Sequence, residues 1–261
     1  YLHKNNFNVT VFNRTISKAK KWSNEYGGNF STTPGDAVKN SDAILICVGR
    51  DENLREVMEG SKGIIENSKE SVIIVDHTTA SADIAREYSA KCLKNNKFFL
   101  DAPISGGQAG AENGQLSIMV GGDEKAFNNV KFVLNSYGKA IELIGESGTG
   151  QLTKMINQIC IAGLVQGLSE AMAFGKKSNL DMEKVLKVIS KGAAQSWQME
   201  NRYKTMIDDK FDFGFAVDWM RKDLKIALEE AKKNNSLLPI TKIVDQYYGD
   251  VQKLGGKRWD T

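Results

Sequence analysis

The sequence predicts an α/β domain built on a doubly wound, mostly parallel sheet, followed by a part that is entirely helical. Three observations predict this architecture. Before residue 148, short apolar and β-branched runs alternate with helix-like segments, which is typical of strand–helix–strand units. Residues 148–179 lack proline and repeat apolar side chains at three- and four-residue steps, which predicts one long helix. The segments after residue 180 show only helical periodicity.

Six stretches of the first part have the composition of strands. They are residues 8–13, 42–49, 71–79, 98–105, 115–122 and 140–145. The second and third are near-continuous apolar runs, as expected for strands covered on both faces. Helices are predicted to start at Ser17, Pro34, Ser81 and Asp123, and near Glu52. Because sheets of this kind bind ligands at the carboxyl ends of their strands, we expect the chemistry there.

The long helix carries small residues at every fourth position. Gly163, Gly167, Ala171 and Gly175 form a stripe that would let another backbone approach closely. Charged and amide side chains interrupt the helix, so we do not expect it to span a membrane. Its apolar content suggests a helix buried on most sides, inside one subunit or between two. Later helices are predicted to begin at Asp181, to cover residues 194–207 and 216–234, and to begin again at Pro239.

Composition indicates an ordinary globular protein of one large domain or two smaller ones. The chain has 261 residues, 41% hydrophobic residues and a net charge of +3, too small a charge to indicate nucleic-acid binding. The three cysteines, Cys47, Cys92 and Cys160, are expected to be buried free thiols. No metal-ligand spacing, signal peptide or long apolar span is present. We therefore expect a cytoplasmic protein that uses no metal.

A glycine-rich stretch, DAPISGGQAGAENGQLSIMVGG at residues 101–122, follows a predicted strand directly. Ser105, Gly106 and Gly107 would offer one hydroxyl and unobstructed backbone N–H groups, which suit a carboxylate. The alternative is a tight turn whose glycines are only structural. The local chemistry does not decide between them.

Lys154 and Asn157 lie three residues apart near the start of the long helix, so they share a face. Burial lowers the pKa of a lysine, which suits proton transfer at a carbonyl or an alcohol. Taken alone, Lys154 is better explained as a solvated surface lysine.

Asn13, Arg14 and Thr15 lie at the end of the first predicted strand. In dinucleotide-binding sheets, an acid at this place commonly binds the ribose 2′-hydroxyl. Here an arginine stands between two small polar residues, which favours a 2′-phosphate and hence NADP, with NAD as the second choice. A surface arginine without a role is the alternative.

Together these stretches resemble the β-hydroxyacid dehydrogenases, which include 3-hydroxyisobutyrate dehydrogenases and glyoxylate/succinic-semialdehyde reductases. Residues 101–122 resemble their substrate-binding signature and GTGQLTKMINQ their catalytic-lysine segment. RKDLKIA at residues 221–227 and the final GGKRWDT resemble two further family elements. The resemblance implies a Rossmann domain at residues 1–147 and an all-α domain at 148–261 that includes the connecting helix 148–179. It also implies a homodimer or homotetramer and a small carboxylate substrate.

The resemblance assigns roles residue by residue. Lys154 would be the general acid/base, while Ser105, Gly106, Gly107 and Asn157 would hold and orient the substrate. The resemblance also implies cofactor-contacting positions at Val48, Gly49, Asn53, Thr79 and, from the second domain, Lys222. These would join Asn13, Arg14 and Thr15, which are assigned to the cofactor by their place at the strand end.

The sequence departs from the family in one large respect. The family begins with a strand and a GxGxxG-type loop that binds pyrophosphate at a helix N-terminus, and the sequence shows neither. We therefore expect that about 20 residues precede Tyr1 in the native protein, by comparison with the usual length of that strand–loop–helix start.

Three alternatives stay open. His77 is a rival base, although no acid partner is evident. An imine reductase of similar fold is a second, against which Lys154 argues. A non-catalytic dinucleotide-binding module is the third. A 6-phosphogluconate dehydrogenase shares parts of the signature but would have a much longer helical domain.

Overall fold

A computed structural model describes residues Tyr1–Thr261. The chain divides into two units, Tyr1–Lys154 and Met155–Thr261. The first unit contains β1 (Thr10–Val11), α1 (Ile16–Tyr26), β2 (Asn29–Phe30), α2 (Pro34–Val38), β3 (Ala43–Ile46), α3 (Asp51–Met58), α4 (Ile64–Asn67), β4 (Ile73–Asp76), α5 (Ala82–Lys94), β5 (Phe98–Asp101), β6 (Ile104–Ser105), α6 (Gly107–Glu112), β7 (Leu116–Gly121), α7 (Glu124–Leu134) and β8 (Gly138–Gly145). The helices that follow are α8 (Thr149–Lys177), α9 (Met182–Ile189), α10 (Trp197–Ile207), α11 (Val217–Lys233) and α12 (Pro239–Lys253).

The strands of the first unit form two sheets. Strands β1 and β2 pair in parallel by themselves. The larger sheet has the order β3-β4-β5-β7-β6, and β8 pairs with β7. Strands β3, β4 and β5 are parallel, whereas β7 runs antiparallel to β5 and parallel to β8. The predicted α/β class is therefore confirmed, with one reversal of direction at β7.

Burial on both faces explains the apolar runs that predicted the central strands. All of β4 is buried. Ile74 packs into one core cluster with helices α3 and α5, while Ile73 and Val75 pack into a second cluster on the opposite face with α7. Because successive side chains of a strand point to opposite faces, a strand between two helical layers is apolar on both faces, and here only Asp76 at the carboxyl end of β4 departs from this.

Several predicted boundaries differ from the observed ones, and two of these differences have a local cause. Residues 98–105 were predicted as one strand, but the pairing breaks between β5 and β6. Pro103 lies in the break and has no N–H to donate to a ladder. Helix α1 begins at Ile16, one residue before its predicted cap, Ser17. The side chain of Asn13 accepts the N–H of Thr15 at 2.9 Å, and this turn leads the chain into the helix earlier.

The second unit is helical, with one isolated bridge between Ala216 and Asp260. One core cluster joins α8, α11 and α12 through Ala162, Met220 and Val244. Another joins α8, α9 and α10 around Leu168 and Met182. Each helix therefore buries one stripe, as amphipathic helices do.

Helix α8 is only partly covered within the chain, which leaves the predicted burial between two subunits untested. Ile156 is 63% exposed and Phe174 72% exposed. A β-carbon would meet no neighbour at Gly163 or Gly167, whereas at Gly175 it would overlap the sulfur of Met182. Close packing thus explains only the last residue of the predicted small-residue stripe.

The prediction of buried thiols was confirmed for Cys92 and wrong for Cys47 and Cys160. Cys92 is buried, and burial raises the pKa of its thiol to about 12. Cys47 and Cys160 are exposed. Cys47 follows the last residue of β3, and Cys160 lies on an exposed face of α8, so an apolar neighbourhood in sequence did not mean burial.

None of the helices combines the length and the apolar character that crossing a membrane requires.

Candidate active site

The carboxyl ends of β3, β4 and β5 meet at one edge of the larger sheet. The last residues of these strands, Ile46, Asp76 and Asp101, stand side by side in register. The turns that follow carry Val48 and Gly49 after β3 and Thr79 after β4. The backbone N–H of Val48 donates to the hydroxyl of Thr78 at 3.0 Å. Two predicted cofactor-contacting turns are therefore joined directly.

The glycine-rich loop continues from the same edge. Strand β6 extends the line of β5 along β7 and ends at the half-buried Ser105. Gly106 and Gly107 are exposed and have φ values of 131° and 61°. Residues with a β-carbon are strained at such positive φ values, so the backbone conformation by itself favours glycine at both positions. A β-carbon on Gly107 would also meet no atom, so its backbone is open to a ligand.

The start of α8 is fixed to the end of β5 by one buried carboxylate. Asp101 is fully buried, and its two oxygens accept the N–H groups of Gly148 at 2.7 Å and Gln151 at 2.9 Å. These are N–H groups that a helix start leaves without an internal partner. A β-carbon at Gly150 would lie 2.5 Å from the carbonyl oxygen of Asp101. The helix therefore begins in direct backbone contact with the sheet.

Lys154 lies in the second turn of this helix. Only 6% of the residue is exposed, so the alternative of a solvated surface lysine is wrong. A buried lysine is uncommon unless something pairs with it or uses it. This burial distinguishes Lys154 from most other lysines of the chain.

Gln151, one helical turn before Lys154, binds the turn after β4. Its side-chain carbonyl accepts the N–H of Ala80 at 3.0 Å, and its amide donates to the carbonyl of Thr78 at 2.7 Å. These two bonds flank Thr79. The helix that carries Lys154 and the turn that carries Thr79 are thus held together by one buried side chain.

Both ring nitrogens of His77 make hydrogen bonds within the fold. Its Nδ1 lies 2.6 Å from the carbonyl oxygen of Ala102, which can only accept, so Nδ1 carries the proton. Its Nε2 lies 2.8 Å from the hydroxyl of Tyr137. Burial lowers the pKa of His77, although the bond to Ala102 opposes this shift. A neutral imidazole with both nitrogens engaged is poorly placed to act as the base.

Asp76, which lies beside Asp101, has the more strongly shifted pKa of the two carboxylates at this edge. Burial raises its pKa to about 7, although the side-chain and backbone bonds from Thr78 oppose the shift. Burial also raises the pKa of Asp101, and its bonds from Gly148 and Gln151 oppose that shift.

The residues at the strand ends fit a dinucleotide. Arg14 is exposed, at the turn that Asn13 and Thr15 form after β1, and a guanidinium suits a phosphate. Val48, Gly49 and Thr79 are half-buried and uncharged, which suits contact with an aromatic ring of the dinucleotide. Asn53 instead donates its amide to Glu56 at 3.1 Å in the first turn of α3.

In the second unit, the two predicted site residues Asn157 and Lys222 belong to one polar chain. Asn157 donates to the side-chain oxygen of Gln158 at 2.7 Å, and Gln158 donates to Asp223 at 2.7 Å. The ammonium of Lys222 lies 3.1 Å from the other oxygen of Asp223. The carboxylate of Asp223, which is buried, therefore binds both Gln158 and Lys222.

The sequence reasoning missed Asp101, Gln151, Gln158 and Asp223. One signal was available for Gln151, which lies three residues before Lys154 and therefore on its face. The partners of Asp101 are 47 and 50 residues away in the chain, and no local pattern reveals them.

Comparison with known families agrees with this arrangement. Residues 1–145 match the NAD-binding domain of 6-phosphogluconate dehydrogenase. Residues 148–261 match the NAD-binding domain of NADP-dependent 3-hydroxyisobutyrate dehydrogenase.

Individual relatives agree as well. An uncharacterized oxidoreductase of Shewanella frigidimarina is 57% identical over 100% of this chain and 90% of its own length. The 2-hydroxy-3-oxopropionate reductase of Escherichia coli is 35% identical over 87% of this chain and 78% of its own length. The crystal structure of a 3-hydroxyisobutyrate dehydrogenase from Salmonella typhimurium superposes with a TM-score of 0.87 at 25% identity, covering 98% of this chain and 90% of that one. The chain therefore belongs to the β-hydroxyacid dehydrogenase family and is an NAD(P)-dependent oxidoreductase.

Proposed function

We propose that the protein catalyses reversible hydride transfer between NADP(H) and a small β-hydroxy acid or its semialdehyde, with Lys154 as general acid/base. The observation that carries this proposal is a buried lysine on a helix anchored to the carboxyl edge of the sheet, where the Ser105 loop also begins. We assign residues 1–147 to cofactor binding, and residues 148–261 to substrate binding and assembly of a homodimer or homotetramer.

Each residue has a defined task in this proposal. A bound nicotinamide cofactor supplies the hydride in reduction and accepts it in oxidation. As an ammonium, Lys154 donates its proton to the carbonyl oxygen; as a neutral amine, it accepts the proton of the alcohol. The hydroxyl of Ser105 and the N–H groups of Gly106 and Gly107 hold the carboxylate, and Asn157 orients the substrate.

The names of the relatives indicate the substrate class. Both 2-hydroxy-3-oxopropionate and 3-hydroxyisobutyrate carry an oxygen-bearing terminal carbon and a carboxylate on either side of one carbon. An anion-binding loop and a proton donor suit that spacing. Glyoxylate and succinic semialdehyde have other spacings between the carboxylate and the aldehyde carbon, so they test how strongly the site depends on this spacing.

The experiment is a matrix of substrates and cofactors. NADPH and NADH are each combined with 2-hydroxy-3-oxopropionate, the semialdehyde of 3-hydroxyisobutyrate, glyoxylate and succinic semialdehyde, and absorbance of the reduced cofactor is followed with the full-length protein. We expect turnover with at least one three- or four-carbon aldehyde acid. Absence of turnover with all of them would contradict the proposal and favour a non-catalytic binding module.

The cofactor choice is tested at Arg14. Because a guanidinium–phosphate bond contributes about 1.5–3 kcal/mol, Arg14→Ala should lower kcat/KM with NADPH by about 10- to 100-fold and change that with NADH little. Lys39→Ala removes an exposed positive charge elsewhere and serves as the control. A higher kcat/KM with NADH than with NADPH in the wild type would overturn the NADP assignment.

A further inference from the structure

Two buried polar residues connect the proposed proton donor to the proposed cofactor turn. Asp101 binds the first turn of α8 to the end of β5 through the N–H groups of Gly148 and Gln151. Gln151 binds the turn after β4 through Ala80 and Thr78. Nothing in the proposed chemistry uses either side chain directly.

Both residues are costly to bury unless their bonds are made. Asp101 is 0% exposed and Gln151 1% exposed, and an unsatisfied buried amide or carboxylate destabilises the fold. Gln151 uses both its acceptor and its donor on backbone groups. The geometry therefore requires an amide, or a group that accepts at one atom and donates at the other.

The connection has a direct geometric consequence for Lys154. Gln151 and Lys154 are one turn apart on the same helix, so their side chains share a face. A change in the distance between α8 and the turn 78–80 would move the Lys154 ammonium relative to Thr79. Displacements of about 1 Å in such an arrangement can cost about 100-fold in rate.

We propose that Asp101 and Gln151 are positioning residues: Asp101 sets the start of α8 on the sheet, and Gln151 sets the turn 78–80 on α8. The catalytic consequence rests on the proposed function, because it takes Lys154 as the proton donor and Thr79 as a cofactor contact. The structural consequence, a clamped turn, is independent of that assignment.

The experiment compares Gln151→Met with Gln151→Glu. Methionine matches the size of glutamine but makes neither bond. A protonated glutamic acid can make both, because its carbonyl oxygen accepts from Ala80 and its O–H donates to Thr78. An ionised glutamate places negative charge against the carbonyl of Thr78.

Turnover per folded molecule is measured from pH 8 to pH 5.5, with the folded fraction from circular dichroism at each pH. We expect Gln151→Met to lose about 10- to 100-fold in kcat at every pH. Gln151→Glu should lose as much at pH 8 and recover at least about tenfold of it at pH 5.5, as the buried carboxyl becomes protonated. The titratable groups around this site, Asp51, Asp76, His77, Asp101 and Lys154, are present in both variants, so the ratio between the variants removes their contribution.

A second readout does not depend on turnover. Hydrogen exchange at the amide of Ala80 should be faster in Gln151→Met and return toward the wild-type rate in Gln151→Glu at low pH. Tyr88→Phe, which removes a hydroxyl bonded to Glu59 at 3.0 Å in another part of the unit, should change neither readout.

The outcomes separate the two proposals. A wild type without turnover, but with fast Ala80 exchange in Gln151→Met, would reject the proposed function and keep the clamp. Wild-type exchange and wild-type turnover in Gln151→Met would reject the positioning role. Equal impairment of the Glu and Met variants at pH 5.5 would reject it as well.

Discussion

At the scale of single residues, burial decides what sequence patterns leave open. Lys154 by itself was better explained as a surface charge, and its 6% exposure removes that explanation. His77 was a rival base, and its bonds to Ala102 and Tyr137 account for it structurally. Ser105, Lys154 and Arg14 could be identified as candidate site residues from the sequence because they lie in recognisable local motifs. The partners of Asp101 and Gln151 could not be predicted, since they are distant in sequence, although the spacing of Gln151 placed it on the face of Lys154.

The raised pKa of Asp76 predicts a pH dependence of stability. Its pKa rises from 3.8 to about 7 on folding, so between these values the native state holds a proton that the unfolded state has released. The free energy of unfolding should therefore fall as pH rises through this window. Asp101, whose pKa is also raised, contributes in the same direction.

Urea unfolding at pH 4.5 and pH 7.5 measures this effect. The wild type should lose more stability between the two values than Asp76→Asn, which has no proton to release. Asp36→Asn changes an exposed carboxylate whose pKa is lowered by Lys39 and Thr33, and it should keep the wild-type decline. Equal pH dependence in the wild type and Asp76→Asn would show that Asp76 ionises normally.

At the scale of elements, local signals predicted helix starts well. Ser81, Asp123 and Asp181 each accept the N–H three residues ahead, as their positions predicted. The break between β5 and β6 and the reversed direction of β7 were not predicted. Strand pairing depends on residues far apart in sequence, so a single stretch cannot specify its partner or direction.

The backbone contact between α8 and the sheet leaves no room for a side chain at Gly150. A β-carbon there would overlap the carbonyl oxygen of Met119 and crowd that of Asp101, so Gly150→Ala should destabilise the protein by about 1–3 kcal/mol or more. Gly167→Ala lies on the same helix with no atom near the new carbon, and it should be neutral or stabilise by up to about 1 kcal/mol. Urea unfolding midpoints compare the two; similar midpoints would contradict the close contact at Gly150.

At the scale of the whole molecule, the order of elements could be predicted because each domain type has its own periodicity. Alternating strands and helices before residue 148 and helices after it follow from composition and spacing alone. The exposure of α8 could not be predicted, because Ile156 and Phe174 have the same residue types as its buried positions. Family membership and nicotinamide-dependent oxidoreductase activity follow from the combination of motifs, since no single motif was specific.

The central claim is that Lys154 moves the proton in the reaction. Lys154→Ala should lower kcat by about 100-fold or more, because a positioned general acid or base contributes about that much. The dissociation constant for NADPH, from fluorescence titration, should stay close to that of the wild type. Lys176→Ala, an exposed lysine in the last turn of the same helix, is the control and should keep wild-type turnover. A Lys154→Ala enzyme with near-wild-type kcat would contradict the account.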